Sequence, residues 1–396
     1  EVNDLFLEAK FNFYTYFTQH FYMFNSFNLE PVKDGEYGKS RAFEDIGLWW
    51  SNLNFNYETD RILIGVGRGS PNFSVGFAVA PGIWGSDDSF ENLKTGGKWG
   101  ATVAPNISLG KFGGVSISAS LFMADNTNLS DSYITRRGVF EREYGGPSNT
   151  GSLDSYSIAI DGSNFVGVED LFIHVAYMNQ KVTHLSFDLE NNVAKDSLAD
   201  EKRFVASTFY NIELNNETVL TPFLEYGIID NDMGLKGQMK SVFTASMEMN
   251  IENWTHSLTY SGINNSFDDQ NTDSDYTISA TTSYLFNSGI EASIGYKYYN
   301  DNENQYTHTA GASLSFTMNS RNSVLVGSDF LKLNSKKQII IVKRFVKTHK
   351  TISDDDSDDY LESIRQELVN YINNHPNALN RSVRLSITNL LLENKN

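Results

Sequence analysis

Strict alternation of apolar and polar side chains constrains this chain most. In one stretch Tyr276, Ile278 and Ala280 are separated by Thr277 and Ser279. The same period of two recurs in further segments, at 4–17, 48–58, 289–299 and 306–318. Successive side chains of a β-strand point to opposite faces, so each segment is predicted to be a strand with one apolar and one polar face.

The lengths of the connections between these segments also alternate. We predict roughly sixteen strands, at 4–17, 48–58, 61–68, 99–109, 114–124, 154–162, 169–179, 203–213, 218–228, 239–251, 253–263, 275–286, 289–299, 306–318, 322–332 and 338–346. The long connections are 18–47, 69–98, 125–153, 180–202, 229–238 and 264–274. Long loops on one side and short turns on the other are typical of a membrane-spanning barrel. The predicted fold class is therefore all-β, a transmembrane antiparallel β-barrel.

Aromatic residues at the strand ends support a membrane location. The outward-facing aromatics at the long-loop ends are Tyr260, Tyr276, Tyr298 and Tyr306, and those at the short-turn ends are Trp254, Phe286 and Phe316. Amphipathic rings settle at both interfaces of a bilayer, so two girdles flanking an aliphatic band are expected. Ordinary core aromatics of a soluble all-β protein would not gather at strand ends.

Composition excludes several other classes of protein. The chain has no Cys, so it has neither disulfides nor a cysteine-ligated metal, and we expect no metal and no cofactor. Its formal net charge of −18 argues against nucleic acid as a partner. The first residues lack the basic and apolar regions of a signal peptide, which we therefore expect to have been removed. His174 has no Ser nucleophile pattern nearby in sequence, and we predict no enzymatic activity.

The end of the chain differs from the rest and is predicted to be a separate module. We expect the barrel to span 1–346 and residues 347–396 to form an acidic linker and a small α-helical tail. The linker carries Asp354, Asp355, Asp356, Asp358 and Asp359, and a helical stripe follows with Leu361, Ile364, Leu368 and Ile372. The tail either docks on the barrel or a protein partner, or is a poorly ordered extension.

This pattern resembles the general porin family of Gram-negative outer membranes, over about residues 1–346. Porins of this kind have sixteen strands, both barrel ends on the short-turn side, and an aromatic closing the last strand, for which Phe345 is the candidate. Two departures are Lys343, which shares the face of Phe345, and the extension after Val346. The resemblance implies short periplasmic turns, long extracellular loops, contact with outer-membrane lipid and lipopolysaccharide, and a homotrimer as one arrangement. It places the tail in the periplasm, where a protein partner would bind.

In the resembled family, the loop after the fifth strand folds into the lumen and sets its narrowest point. Here that loop is 125–153. Its charged side chains, the candidate pore constriction, are Arg136, Arg137, Glu141, Arg142 and Glu143. Charges of both signs would create a transverse field that discriminates among solutes. The alternative is a surface loop with solvated ion pairs.

Charges on the polar faces of the strands are predicted to line the lumen. A lipid-facing Arg or Lys costs about 2–4 kcal/mol near the midplane, so such charges should face water. The candidate pore-wall residues are Glu8, Lys10, Arg61, Lys240, Glu291 and Lys297, and Glu225 and Glu248 share this parity.

The leading functional hypothesis is passive diffusion of ions and small polar solutes through a water-filled lumen. One alternative is a substrate-selective outer-membrane transporter, for example for a siderophore or a sugar. Another is a barrel scaffold or adhesin with a partner on its C-terminal tail. The sequence does not separate these hypotheses, because selectivity depends on which loops line the lumen.

Overall fold

The computed structural model describes residues 3–33, 38–85, 92–184, 197–215, 218–267, 270–286, 288–301 and 306–317. The predicted strands at 322–332 and 338–346 and the predicted tail at 347–396 lie outside these residues. Among the described residues, no helix has the length and apolarity to cross a membrane.

β-Strands account for most of the described residues. They are β1 (Asp4–Leu5), β2 (Ala9–Tyr16), β3 (Phe21–Pro31), β4 (Arg41–Ala42), β5 (Ile46–Glu58), β6 (Ile62–Gly69), β7 (Lys98–Ser108), β8 (Gly114–Ala124), β9 (Ser155–Phe165), β10 (Val168–Gln180), β11 (Glu201–Tyr210), β12 (Ile212–Asn215), β13 (Thr218–Asp230), β14 (Gln238–Ile251), β15 (Trp254–Phe267), β16 (Gln270–Leu285), β17 (Ile290–Asn300) and β18 (Tyr306–Phe316). One helical turn, α1 (Gly76–Val79), lies between β6 and β7.

One 16-stranded sheet contains all of these strands except β1 and β4, which pair with each other in parallel. Its order runs from β18 down to β2, and neighbours in the sheet are neighbours along the chain. Short turns join β2 to β3 and β5 to β6, whereas the connections 70–97 and 125–154 are long. The predicted all-β class is confirmed, and short turns alternate with longer connections from β2 to β11.

The two faces of the sheet differ as the alternation predicts. One face carries large apolar side chains that are exposed, such as Ile158, Ile160, Leu224 and Leu258. The other face carries polar side chains, many of them buried; they include Ser118, Ser120, Ser157, Ser207, Thr244, Ser261, Thr277 and Thr281. An exposed apolar face on this scale is stable when lipid rather than water contacts it.

The sheet is strongly curved, with its polar face inside. Nine strand-to-strand steps separate β2 from β13, and at about 4.8 Å a step a flat sheet would hold them about 43 Å apart. Yet Leu93 packs on Gly227 of β13, while the charge of the next residue, Lys94, interacts with Glu8 beside β2. Two adjacent side chains cannot bridge such a distance, so the polar face curves around an interior, which we call the lumen.

The structure corrects two predicted connections. Residues 264–274 were expected to form a long loop, but strand β15 extends to Phe267 and strand β16 begins at Gln270. Residues 18–47 were expected to form a long loop, but Phe21–Pro31 is strand β3, paired antiparallel with β2 after a short turn. The pattern was hidden because aromatic side chains lie on both faces: Tyr22 and Phe24 pair with the lumen-facing Tyr16 and Tyr14, while Phe27 stacks on Trp50 of the outer face. Consequently β2 starts on the long-loop side, contrary to the porin-like expectation, and 125–153 follows the sixth strand of the sheet.

The predicted aromatic residues form rows on the outer face, although Tyr260 and Tyr276 lie within β15 and β16 rather than at the ends of these strands. Tyr260, Tyr276 and Tyr298 form a row of ring contacts across neighbouring strands, with centroids 6.1 and 6.0 Å apart. At the short-turn ends of β15 and β16, Trp254 and Phe286 are exposed on the same outer face. Rings at both edges of the apolar band define where the two bilayer interfaces would lie.

Candidate functional site: the lumen and its inward segment

A connection other than the predicted one lies deep against the lumen wall. The inward segment, residues 70–97, joins β6 to β7 and is described at 70–85 and 92–97. Phe73 and Leu93 are each 1% exposed. They pack on an apolar patch of the wall formed by Phe122, Ala159, Ala176, Met178, Val205, Ile229 and Val242. Burying two such side chains contributes roughly 3–6 kcal/mol to docking.

Glu225 of β13 anchors the start of α1. Its carboxylate accepts hydrogen bonds from Ser74 Oγ at 2.8 Å, from the backbone N–H groups of Val75 and Gly76 at 3.1 Å each, and from Ser207 Oγ at 2.6 Å. Glu225 is 1% exposed. A buried carboxylate is tolerated when hydrogen bonds replace its hydration, and here most of the donors come from the inward segment.

A second polar anchor lies next to Phe73. His174 of β10 is fully buried. Its Nδ1 is 2.7 Å from the Asp161 carboxylate, and its Nε2 contacts the carbonyl oxygen of Phe73. Asn72 donates to the same carboxylate at 2.9 Å. Both ring nitrogens are thus engaged in holding the segment, which leaves no ring nitrogen directed at a solute.

Two cations hold the far part of the segment. Arg203 donates to the carbonyl oxygen of Asn92 at 3.1 Å, and Lys240 donates to the Asn92 side-chain oxygen at 3.0 Å. Arg203 is paired with Glu201 at 2.6 Å and Lys240 with Asp232 at 2.8 Å. The candidate wall residue Lys240 therefore faces the lumen as predicted from parity, but it is engaged in an ion pair there.

The tip of the segment fits a recess made by two glycines. A Cβ atom on Gly295 of β17 would lie 2.7 Å from the Trp84 ring, and one on Gly311 of β18 would lie 2.8 Å from it. Ile83 N–H donates to Thr281 Oγ1 at 3.2 Å. Side chains at these two positions would push the indole away, so the glycines provide space for Trp84. Lys297, another candidate wall residue, lies 5.9 Å from this ring.

The loop 125–153 contacts a different part of the wall, at the long-loop ends of β5 and β6. Arg137 lies over the ring of Trp49, 3.8 Å from its centroid, and donates to the carbonyl oxygen of Ser130 at 2.6 Å. Tyr133 N–H donates to Leu48 of β5 at 2.8 Å. A guanidinium stacked on an indole is favourable, so this contact helps to fix the loop at the mouth of the lumen.

A buried ion pair lies beneath that contact. Arg68, 2% exposed, donates from Nε to Asp125 at 2.5 Å and from Nη1 to the carbonyl oxygens of Trp50 and Ser51. Burial opposes ionisation of Asp125, but hydrogen bonds from Thr127 and Arg68 outweigh it and lower the pKa of Asp125. The pair joins the end of β6 to the start of the loop.

The other predicted constriction charges lie at the surface of the loop. Arg136 is 87% exposed at its side chain and lies 3.8 Å from Asp131. Glu141, Arg142 and Glu143 are exposed. The pKa of Glu141 is raised because its protonated carboxyl can donate a hydrogen bond to Glu143 and because the two carboxylates repel each other. Of the five predicted residues, only Arg137 is held against the wall.

The remaining predicted wall residues take varied positions. Glu8 and Lys10 are exposed, the former just before β2 and the latter within it. Arg61 lies in the short turn before β6 rather than within a strand. Glu291 is half-buried on β17. Across the described ranges, no group of three or more His, Asp or Glu side chains is arranged to hold a metal ion.

Comparison with known proteins gives similarity at the level of structure. No family model matches the chain, and no curated protein matches it. Among solved structures, the outer membrane channel DcaP of Acinetobacter baumannii is similar with a TM-score of 0.47 and 11% identity, over 78% of this chain and 83% of that one.

Two further outer-membrane proteins are similar in the same way. The anion-selective porin from Comamonas acidovorans has a TM-score of 0.43 and 9% identity, over 77% of this chain and 83% of that one. A loop-deletion mutant of OmpT from Vibrio cholerae has a TM-score of 0.44 and 8% identity, over 78% and 89%. At such low identities and TM-scores, the similarity assigns neither an activity nor a solute to this chain.

Proposed function

We propose that this chain is an outer-membrane channel through which ions and small hydrophilic solutes diffuse passively. The observation that carries the proposal is the pair of opposite faces: an apolar outer face that suits lipid, and a polar inner face that encloses a lumen. Water and ions cross such an interior far more readily than hydrocarbon, because polar side chains can replace part of their hydration.

The inward segment is the principal narrowing element in this proposal. It lies on the lumen side of strands from β8 to β18, and its anchors come from both charged and apolar wall residues. Phe77 and Ala78 of α1 are exposed, so they face the solvent that would fill the lumen. The loop 125–153, with Arg136, Arg137, Glu141, Arg142 and Glu143, is proposed as a second, outer constriction at the mouth.

Cysteine modification in planar bilayers tests this proposal directly, because the native chain has no Cys. The full chain should give stepwise ion currents. In the variant Ala78→Cys, a charged methanethiosulfonate should reduce the single-channel conductance. The matched control is Val66→Cys, since Val66 is 56% exposed on the outer face and its modification should leave the current unchanged.

Two results would count against the proposal. A folded protein that inserts but carries no current would exclude the channel. A normal current that modification at position 78 does not alter would remove the inward segment from the conduction path. The homotrimer and a periplasmic partner for the tail at 347–396 are proposed with the channel and are tested separately, by cross-linking in the membrane and by comparing the partners of full and truncated chains.

A further inference from the structure

Four aromatic side chains lie on the lumen face of β2 and β3. Tyr14 is paired with Phe24, and Tyr16 with Tyr22, in the antiparallel register. They share their face with Asn12 and Ser26, which pair one step further along and hydrogen-bond at 2.7 Å. The opposite face of these strands carries the exposed Phe11 and Phe13, which are directed toward lipid. These four rings, the aromatic platform, therefore border the lumen.

The rings of the platform form one continuous surface. The centroids of Tyr14 and Phe24 are 4.8 Å apart, those of Tyr16 and Tyr22 are 5.3 Å apart, and Tyr14 stacks with Tyr16 at 6.5 Å. Tyr22 is 7% exposed, and its hydroxyl donates a hydrogen bond to Glu58 at 2.7 Å. This bond holds the Tyr22 ring in place beneath the more exposed rings. Tyr16 is 47% exposed, so it presents its ring to the lumen.

Side-chain amides surround this surface. Asn54 and Asn56 of β5 pair with Phe24 and Tyr22, and Asn56 donates to Asn54 at 2.6 Å. An amide both donates and accepts hydrogen bonds, as the hydroxyl groups of a solute require. By contrast, the lumen face of β15 to β18 carries mainly Ser, Thr and Gly. A surface of aromatic rings bordered by side-chain amides therefore distinguishes β2, β3 and β5 from that part of the lumen wall.

We propose that the aromatic platform binds neutral carbohydrates that pass through the lumen. A pyranose ring has an apolar face of C–H groups and a rim of hydroxyls, and these match the aromatic faces and the amide row. The carboxylate of Glu58, engaged by Tyr22, disfavours anionic solutes at the same place. This inference rests on the proposed channel and adds a solute class to it.

Block of ion current by sugar tests the platform. Maltose added to the native full chain in planar bilayers should reduce the current along a saturating curve, whereas an uncharged polyethylene glycol of similar size should reduce it without saturation. In the double variant Tyr14→Ala, Tyr16→Ala, the half-saturating maltose concentration should rise about tenfold or more, equivalent to about 1.4 kcal/mol of lost binding.

Matched variants separate ring loss from misfolding. Tyr14→Phe with Tyr16→Phe keeps both rings and should retain saturation, and Phe13→Ala removes a ring from the lipid face of the same strand and should leave the half-saturating concentration unchanged. Non-saturating block of the native channel, or equal half-saturation in the alanine variant, would overturn the platform while leaving the channel intact. If no current flows at all, the channel itself fails, and saturation-transfer NMR with maltose in micelles still decides whether the sugar binds.

Discussion

Replacing Glu225 with alanine should loosen the inward segment and widen the lumen. The substitution leaves the N–H groups of Val75 and Gly76 without their acceptor. A buried donor left unsatisfied costs about 1–3 kcal/mol, so the two together cost roughly 2–6 kcal/mol. This is comparable with the apolar docking of Phe73 and Leu93, estimated above from their burial, so we expect partial rather than complete release.

Single-channel recording and proteolysis measure this release. The variant Glu225→Ala should show a higher mean conductance, frequent transitions between current levels and faster tryptic cleavage at Lys94. Glu225→Gln should behave more like the native protein, because one amide oxygen can still accept from Val75, Gly76 and Ser207. The glutamine variant loses only the negative charge of the acceptor and the hydrogen bond that Ser74 Oγ donates to the second carboxylate oxygen.

A lumen carboxylate away from α1 provides the control. Glu248 lies on the same face of the neighbouring strand β14 and accepts from Asn250 at 2.6 Å. Glu248→Ala should therefore leave the conductance transitions and the cleavage rate at Lys94 near native values. If Glu225→Ala folds and inserts but shows native conductance and native cleavage, the hydrogen bonds of Glu225 do not hold the segment, and the reasoning is refuted.

Further outcomes are expected from other parts of the chain. Deleting residues 135–147 should raise single-channel conductance, and an unchanged value with an intact barrel would place that loop outside the pore. Gly311→Val should displace Trp84 and increase current noise, detectable against a native recording. Backbone hydrogen bonds, first from Ser132, lower the pKa of Asp131. Its contribution is present above the unfolded pKa and is lost as pH falls through the lower folded value, so loop proteolysis should accelerate below about pH 4, and Asp131→Asn should remove that dependence. Truncation at Lys347 should leave a folded, conducting barrel; loss of insertion would show that the tail belongs to the barrel.

The sequence alone determined the fold class and the two faces of the sheet. Residues such as Ile278 and Thr277 alternate strictly, and the period of two decides which face meets lipid without any knowledge of the neighbouring strands. The same reasoning failed at β3, because Phe21–Pro31 carries aromatic side chains on both faces and no polarity contrast remains to be read. Because strand β3 was not predicted, the loop 125–153 was numbered as the one after the fifth strand and was therefore expected to fold into the lumen. It follows the sixth strand of the sheet.

Only the tertiary structure decided which connection lies deep in the lumen. The inward segment is held by Glu225 on β13, His174 on β10, and the glycine recess of β17 and β18. One trace of this docking was present in the sequence, since Met178, Val205 and Ile229 are apolar residues on the lumen parity of their strands. These residues form a docking patch only because Phe73 and Leu93, from a connection distant in sequence, pack against them. Such packing between distant segments cannot be predicted from a local sequence pattern.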